Sequence, residues 1–418
     1  MRLRLLLAIV LLSLPMAACS GSDSDRGTAT SGGADLWTGP ALTTTEMSEA
    51  DKASVDASLN RALGFAETTG ATGMWVGIYD PDKGKYLTSV GAIAKDGAEA
   101  TIADHGRIGS VTKTFTATGI LQQVAAGNLA LDDTVADVLP ELAGKVPEIA
   151  SFTVEQLLGM TTGIKDYANA GILFEEVLAD PNRVYTGEEI ITRAIDELGI
   201  DSRFPKYSTT DYLILGEMLS KVTGKPVSQA VTDVASDLGM SNTALPAPDD
   251  PSMPQPAATA HKGAGVASSL KSSGIKELKQ GEGEPNPASW GAAGGGMYSV
   301  LEDLGIWAGT ALGTSTLPKA LGDQRLSDAS KLLDAGCYGL GIMDFGNGWV
   351  GHTGQTLGFE ALVVYNTKTG AALTGFVNEG GSLLSLTPVL DELSSFKDLG
   401  TAVFLGSESN TACSASAD

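Results

Sequence analysis

The chain reads as an α+β protein: an antiparallel sheet flanked by helices, with a large, mainly helical subdomain inserted between its sheet-forming ends. Three observations carry this. Residues 74–79 and 85–90 read as a hairpin across Pro81, Asp82, Lys83 and Gly84. Strand-like runs near 349–354, 358–365 and 371–378 would join that hairpin in one antiparallel sheet. Between them, residues from about 128 to 290 carry helical patterns and Pro/Gly-rich loops, 249–256 being the most irregular.

From the N-terminus, Arg2 and Arg4 precede an apolar stretch, 5–14, that is too short to span a bilayer. Residues 1–18 therefore read as an export signal. Met16-Ala17-Ala18-Cys19 reads as a bacterial lipobox, which would leave Cys19 as the N-terminal residue with diacylglycerol on its sulfur and hold the protein to the cell-envelope membrane. The alternative is ordinary secretory cleavage nearby. A flexible polar tether is expected over 19–46 and one folded domain over 47–405, opening with a helix at 49–67. A tail is expected over 406–418. With Cys19 set aside, Cys337 and Cys413 remain; in an exported chain they could form a disulfide, and the other reading is two free thiols.

Length and composition fit one large globular domain or two subdomains: 418 residues, 43% apolar and 18% charged. The net charge is −23, and removal of Arg2 and Arg4 with the leader leaves −25. So acidic a surface argues against nucleic acid as a partner. The sequence has no His-Glu-x-x-His metal spacing and no phosphate-binding glycine loop, so no metal or cofactor is expected. Gly294-Gly295-Gly296 reads as a tight packing turn.

Ser110-Val111-Thr112-Lys113 follows the glycine turn Arg107-Ile108-Gly109 and opens an apolar helix. Ala117, Ile120, Leu121 and Val124 repeat at helical spacing, and Gly127-Asn128 ends the run. Residues i and i+3 share a helix face, so the Lys113 amine can stand beside the Ser110 hydroxyl. A helix N-terminus also supplies unpaired N–H groups for a developing oxyanion. A serine needs both a proton acceptor and such a donor to become a nucleophile. Ser-x-x-Lys recurs at Ser268/Lys271, Ser273/Lys276 and Ser394/Lys397, but none of these pairs follows a glycine turn into a periodic helix.

Two further motifs accompany Ser110. Tyr207-Ser208-Thr209 precedes a helix with Leu215, Met218, Leu219 and Val222 on one face, stopped by Gly224 and Pro226. His352-Thr353-Gly354 follows Trp349-Val350-Gly351 and precedes what reads as an edge-type strand. This order resembles the penicillin-recognising serine hydrolases, in the branch of class C β-lactamases, D-alanyl-D-alanine carboxypeptidases and related esterases. Residues 129–133 with Leu139-Pro140, 152–158 with Thr162-Gly163-Ile164, 238–240, 294–299 with Asp303-Leu304, and 338–341 look like further landmarks of that family. Two decoys lose on placement. Lys368-Thr369-Gly370 spells the lysine form of the third motif but lies between two strand-like runs, as a hairpin tip. Tyr167-Ala168-Asn169 spells the second motif well, but the order and surroundings favour Tyr207. His105 and His261 read as ordinary surface or hydrogen-bonded residues.

The resemblance implies a β-lactamase/transpeptidase-like fold and two-step acyl transfer on a small-molecule or peptide substrate with an acyl or amide carbonyl. Ser110 would attack while its proton passes to Lys113 or Tyr207, the choice being open. The N–H groups of Ser110 and Gln355 would form the oxyanion hole, and Tyr207 would protonate the leaving group. His352, Thr353 and Gly354 would border the substrate, with His352 and Thr353 on its carboxylate or ester equivalent, and Thr209 would contact its amide. Two departures stand out: Thr209 where asparagine is usual, and His352 for the commoner lysine. Threonine has a single hydroxyl where an amide both donates and accepts, and histidine need not be charged at neutral pH. The implied activity is that of a D-Ala-D-Ala carboxypeptidase or β-lactamase. The alternatives are a carboxylesterase on small acyl esters and a non-hydrolytic penicillin- or peptidoglycan-binding lipoprotein.

Overall fold

The strands at the two ends of the chain interleave in one sheet. In chain order the strands are β1 (Gly73–Asp80), β2 (Gly84–Gly91), β3 (Gly106–Arg107), β4 (His261–Lys262), β5 (Gly281–Glu282), β6 (Tyr298–Ser299), β7 (Ser330–Leu332), β8 (Gly336–Tyr338), β9 (Met343–Gly346), β10 (Trp349–Gln355), β11 (Glu360–Asn366) and β12 (Ala372–Val377). The main sheet has the order β2-β1-β12-β11-β10-β9-β8-β7, and every neighbouring pair is antiparallel. The early hairpin is joined to the late strands through β1 and β12, with Met74 opposite Val377 and Tyr79 opposite Ala372. This computed structural model describes residues 35–379 except 68–69, 181, 202, 204–205, 251, 263–280, 283–287, 328–329 and 333–335, together with Phe396.

Three expectations need correction. The strand after His352-Thr353-Gly354 is not an edge: β11 is paired on both sides and six of its seven residues are buried. Strands β7, β8 and β9 escaped the sequence reading because three or four residues are too few to show a period. Residues 35–46 do not form part of a loose tether. Trp37 N donates to Leu317 O (2.9 Å), Tyr365 OH to Pro40 O (2.5 Å) and Lys319 N to Asp35 O (2.7 Å), and the Trp37 ring is buried. The signal, Cys19, the remainder of the tether and the 406–418 tail lie outside the described residues.

Strand alternation divides the core in two. Met74, Val76, Ile78, Leu362, Val364 and Leu373 face Val55, Leu59, Ala62 and Leu63 of the helix Glu49–Ala66. On the opposite face Trp75 stacks on Phe376 (4.8 Å between centroids), and Phe359 and Val363 join the larger cluster formed with the helical insertion. Because both faces are covered, β1, β11 and β12 read as unbroken apolar runs instead of alternating ones. Cys337, in β8, is disulfide-bonded; its expected partner Cys413 lies outside the described residues.

The insertion is built from short capped helices. Thr134 and Thr153 each close a capping box, on Val135–Val138 and Val154–Leu158, and Ser208 caps Thr209–Thr223, which ends at Gly224 with φ +67°. The helix Thr112–Ala125 lies at the centre. It is not amphipathic as its spacing suggested: every residue from Thr112 to Leu121 is buried. Its threonines resolve the conflict between burial and polarity. Thr116 donates to Ala293 O (2.7 Å), Thr118 donates to Thr114 O (2.7 Å), and Thr114 Oγ1 accepts from Trp307 Nε1 (2.9 Å). Arg325, fully buried, ties this helix to its surroundings by donating to Leu312 O, Thr118 Oγ1, Leu340 O and Thr114 O.

Thr116→Val keeps the side-chain shape and leaves the Ala293 carbonyl without its donor. It should cost about 1–3 kcal/mol of stability, read as a lowered urea midpoint with an unchanged slope.

Candidate active site

Ser110 lies in a 3₁₀ turn, Gly109–Val111, that leads into the helix Thr112–Ala125. This tight turn replaces the α-helical start expected at Ser110. Gly109 makes it possible by taking φ +49°, which other residues reach only with strain. The Lys113 amine stands 3.1 Å from Ser110 Oγ. Ser110 is half-buried at this junction, whereas Lys113 is fully buried. Burial, opposed by the nearby Asp166 carboxylate, lowers the Lys113 pKa from its usual range near 10.5 to about 7. A large fraction of this amine is therefore neutral at physiological pH.

Other groups also hold the amine. Gly294 O accepts from Lys113 Nζ at 2.6 Å, Thr209 Oγ1 accepts at 3.2 Å, and the Tyr207 ring centroid lies 4.9 Å away. Gly294 must be glycine here, because a Cβ would come within 2.5 Å of Thr209 Cγ2. Ala292, at φ +37°, kinks the segment so that the carbonyls of Ala293 and Gly294 both reach the helix Thr112–Ala125. The packing turn expected at 294–296 is thus also part of the lysine's shell, which a run of glycines could not announce.

Thr209 was expected to contact the substrate amide. The structure places it differently: its side chain is buried and its hydroxyl donates to Asp166 Oδ2 at 3.2 Å while accepting from Lys113. One hydroxyl has one proton, so Thr209 has nothing left to donate to a substrate. Asp166 was missed from the sequence. It caps the helix Tyr167–Ala170 through Ala168 N and Asn169 N, a role that any aspartate before a helix could fill. Burial raises its pKa, opposed first by the charge on Lys113 and then by these backbone donors.

The second and third motifs meet beside the lysine. Tyr207 is half-buried, with its ring edge-on to Tyr338 (6.1 Å) and tilted to His352 (6.1 Å). His352 is buried; its Nδ1 faces Thr353 O and its Nε2 lies 3.0 Å from Tyr338 OH. A carbonyl only accepts, so the proton belongs on Nδ1 and Nε2 accepts from Tyr338. Burial, reinforced by the charge on Lys113, pushes the His352 pKa down to about 3. His352 therefore offers a substrate carboxylate no cation near neutral pH, and its expected contact with that group is replaced by an internal bond to Tyr338.

Strand β10 closes the site. Its pairing with β9 ends at Gly351, and Gly354 and Gln355 run against the serine turn. A Cβ on Gly354 would come within 1.9 Å of Ile108 O and 3.1 Å of Ser110 N, and one on Gly109 within 2.5 Å of Gln355 N. The two glycines thus bring the backbones of Ser110 and Gln355 together. Thr353 is half-buried opposite Leu362. The decoys fall elsewhere. Lys368 is exposed on the β11–β12 turn, whose amides cap on Asn366 Oδ1, and Tyr167 is buried with its hydroxyl on Trp290 O. Of the two readings for His105, surface or hydrogen-bonded, the structure shows the second: it is buried with Nδ1 on Pro256 O, and His261 is half-buried in β4. Ser268/Lys271, Ser273/Lys276 and Ser394/Lys397 lie outside the described residues.

Comparison with known proteins identifies the family. The beta-lactamase family model matches residues 28–387, and the chain belongs to that family. A stretch of 132 residues is 36% identical to penicillin-binding protein 4 of Amycolatopsis lactamdurans; it spans 30% of this chain and 32% of that relative. Among solved structures, a D-stereospecific amidohydrolase from Streptomyces sp. superposes with a TM-score of 0.64 at 25% identity, covering 81% of this chain and 98% of the other. The D-amino acid amidase of Ochrobactrum anthropi SV3 gives 0.69 at 21%, covering 83% and 99%. The octameric penicillin-binding protein homologue of Pyrococcus abyssi gives 0.65 at 20%, covering 82% and 77%. The fold is β-lactamase/transpeptidase-like, and the protein is a serine hydrolase of this family.

Gly354→Ala tests the approach of β10 to the serine turn. It should slow acylation by about 10²-fold, the usual cost of losing one oxyanion donor, with little effect on the pH profile. Stopped-flow measurement of the acylation phase would check it.

Proposed function

We propose that this protein hydrolyses amide or strained-amide bonds through an acyl-enzyme on Ser110, in the manner of penicillin-binding peptidases and amidases. One observation carries the reading: a buried amine with a pKa of about 7 stands 3.1 Å from the serine hydroxyl. Ser110 Oγ attacks the carbonyl carbon and its proton passes to neutral Lys113 Nζ. The oxyanion is received by the N–H groups of Ser110 and Gln355, and Tyr207, beside Lys113, delivers its proton to the leaving nitrogen and regains one from the Lys113 ammonium, which restores both groups. Water then releases the acyl group by the reverse path. A retired, purely binding cleft would have no need of serine, amine and phenol together.

The neutral state of His352 favours a second reading. Substrates lacking a carboxylate beside the scissile bond, such as amino acid amides or small acyl esters, do not need the cation that this site withholds. The amidase and amidohydrolase neighbours are consistent with it.

Location enters the proposal from the leader alone: export, with lipid attached to Cys19. Cys19→Ser should move the protein from the membrane pellet to the soluble exported fraction and remove the lipid mass from its N-terminal peptide. A pellet-bound, unlipidated Cys19→Ser protein would sink the anchor.

Ser110→Ala should abolish labelling by a fluorescent penicillin or a fluorophosphonate; retained labelling overturns the assignment. Turnover of nitrocefin, p-nitrophenyl acetate, D-amino acid amides and a D-Ala-D-Ala peptide would separate the readings. The acylation rate should rise with pH through about 7 and level above it, because the pKa of Lys113 is depressed and the deprotonated amine is the competent form. Lys113→Arg, which stays protonated, should lose about 10²–10⁴-fold.

A further inference from the structure

Each neighbour of the Lys113 amine can be assigned a direction, and Asp166 decides the assignment. Gly294 O is an acceptor only, at 2.6 Å. Thr209 Oγ1, at 3.2 Å, could donate or accept. The Asp166 carboxylate removes the choice. As an ionised carboxylate Asp166 only accepts, Oδ1 from Ala168 N and Oδ2 from Asn169 Nδ2 (3.0 Å), so the Thr209 proton points at Oδ2. Thr209 then presents only lone pairs to Lys113. A neutral amine has two protons and one lone pair. Its protons go to Gly294 O and Thr209 Oγ1, and the lone pair faces the remaining neighbour, Ser110 Oγ at 3.1 Å.

We propose that Asp166 is a positioning residue which, through the Thr209 hydroxyl, turns the lone pair of Lys113 toward Ser110 and so makes the lysine, not Tyr207, the base for acylation. The step balances within the site: the Ser110 O–H bond breaks, its proton joins the Lys113 lone pair, and the alkoxide electrons form the bond to the acyl carbon. Asp166 touches neither serine nor substrate. This deepens the proposed function and rests on Ser110 being the acylated residue.

Other titratable groups around the amine do not fill this role. Tyr207 and Tyr212 present ring faces, at 4.9 and 5.6 Å from Nζ to their centroids. The His352 ring is bonded to Tyr338 and Thr353 O. Asp211 accepts from Thr162 Oγ1. Among the described residues Asp166 is the carboxylate whose charge acts on Lys113, and that charge raises the pKa of the amine.

Asp166→Asn tests the relay. The new carbonyl, in the place of Oδ1, can still accept from the backbone N–H groups of Ala168 and Asn169, while the new NH₂, in the place of Oδ2, loses the Asn169 Nδ2 donor and donates to Thr209. The Thr209 proton is then turned onto the lysine lone pair. The expected result is a loss of acylation rate of about 10²-fold or more, with the acid limb of the rate profile moved to lower pH because the charge that raised the Lys113 pKa is gone. Thr209→Val should show the loss of rate with the limb unmoved, because the Asp166 charge stays in place; Thr209→Ser should keep rate and limb close to wild type, and the double variant should be no slower than Thr209→Val alone.

In Asp166→Asn, a rate loss without a shift of the limb would reduce Asp166 to a helix cap and overturn the proposal, as would additive losses in the double variant. If Asp166→Asn does not fold, the Thr209 pair decides: a loss in Thr209→Val that Thr209→Ser restores supports the relay, and equal rates in the two overturn it. Labelling of Ser110→Ala in parallel separates the two levels. Retained labelling there defeats the proposed function itself, whereas lost labelling with an unmoved limb in Asp166→Asn defeats only the relay.

Discussion

A lysine amine taken wholly out of water is the constraint around which this protein is organised. Among the described residues, Lys113 is held by a carbonyl, two hydroxyls and the faces of two aromatic rings, and no carboxylate is hydrogen-bonded to it. Desolvation penalises its charged form, and only the more distant Asp166 resists. To keep water away, the helix that carries Lys113 must be buried on every side, which requires both the sheet on one flank and the helical insertion on the other. The architecture follows from that need: chain ends that complete a sheet, and a middle that covers the helix lying on it.

Arg325 shows that burial alone does not produce a usable base. It is as deeply buried as Lys113 and contacts the same helix, yet its pKa falls only to about 10 and it stays charged. A guanidinium spreads its charge and places several donors on surrounding oxygens at once, so its surroundings replace much of what water supplied. The ammonium of Lys113 is compact and loses more on leaving water. Arginine therefore serves as a cross-brace in this core, and lysine serves at the serine.

What the sequence disclosed and what it hid divide along physical lines. Ser110 and Lys113 were legible because a glycine turn, a spacing of three and an apolar helix coincide locally. The hairpin, the late strands and the place of Lys368 on a turn were legible from turn residues between apolar runs. Asp166 and Gly294 were not, because each reaches the site only through tertiary packing. An aspartate before a short helix and a glycine in a run of three are ordinary features of loops. The surroundings of Thr209 were misread for the same reason: its motif position was visible, but the carboxylate that claims its proton lies 43 residues away. His352 likewise showed its identity but not its burial, and burial is what decides its charge.

The two departures from the family pattern then belong together. A lysine in the third motif would place a second cation near Lys113 and drive the pKa of the base lower still; a neutral imidazole bonded to Tyr338 avoids that field. An asparagine in the second motif would offer both a donor and an acceptor and leave the orientation of the amine to the substrate. Threonine bonded to Asp166 sets it before any substrate arrives. Both replacements move control of the lysine from the ligand to the protein interior. Under the proposed function, such a site would gain less from a charged or amide-rich substrate, and its selectivity would come from the shape and reactivity of the acyl group.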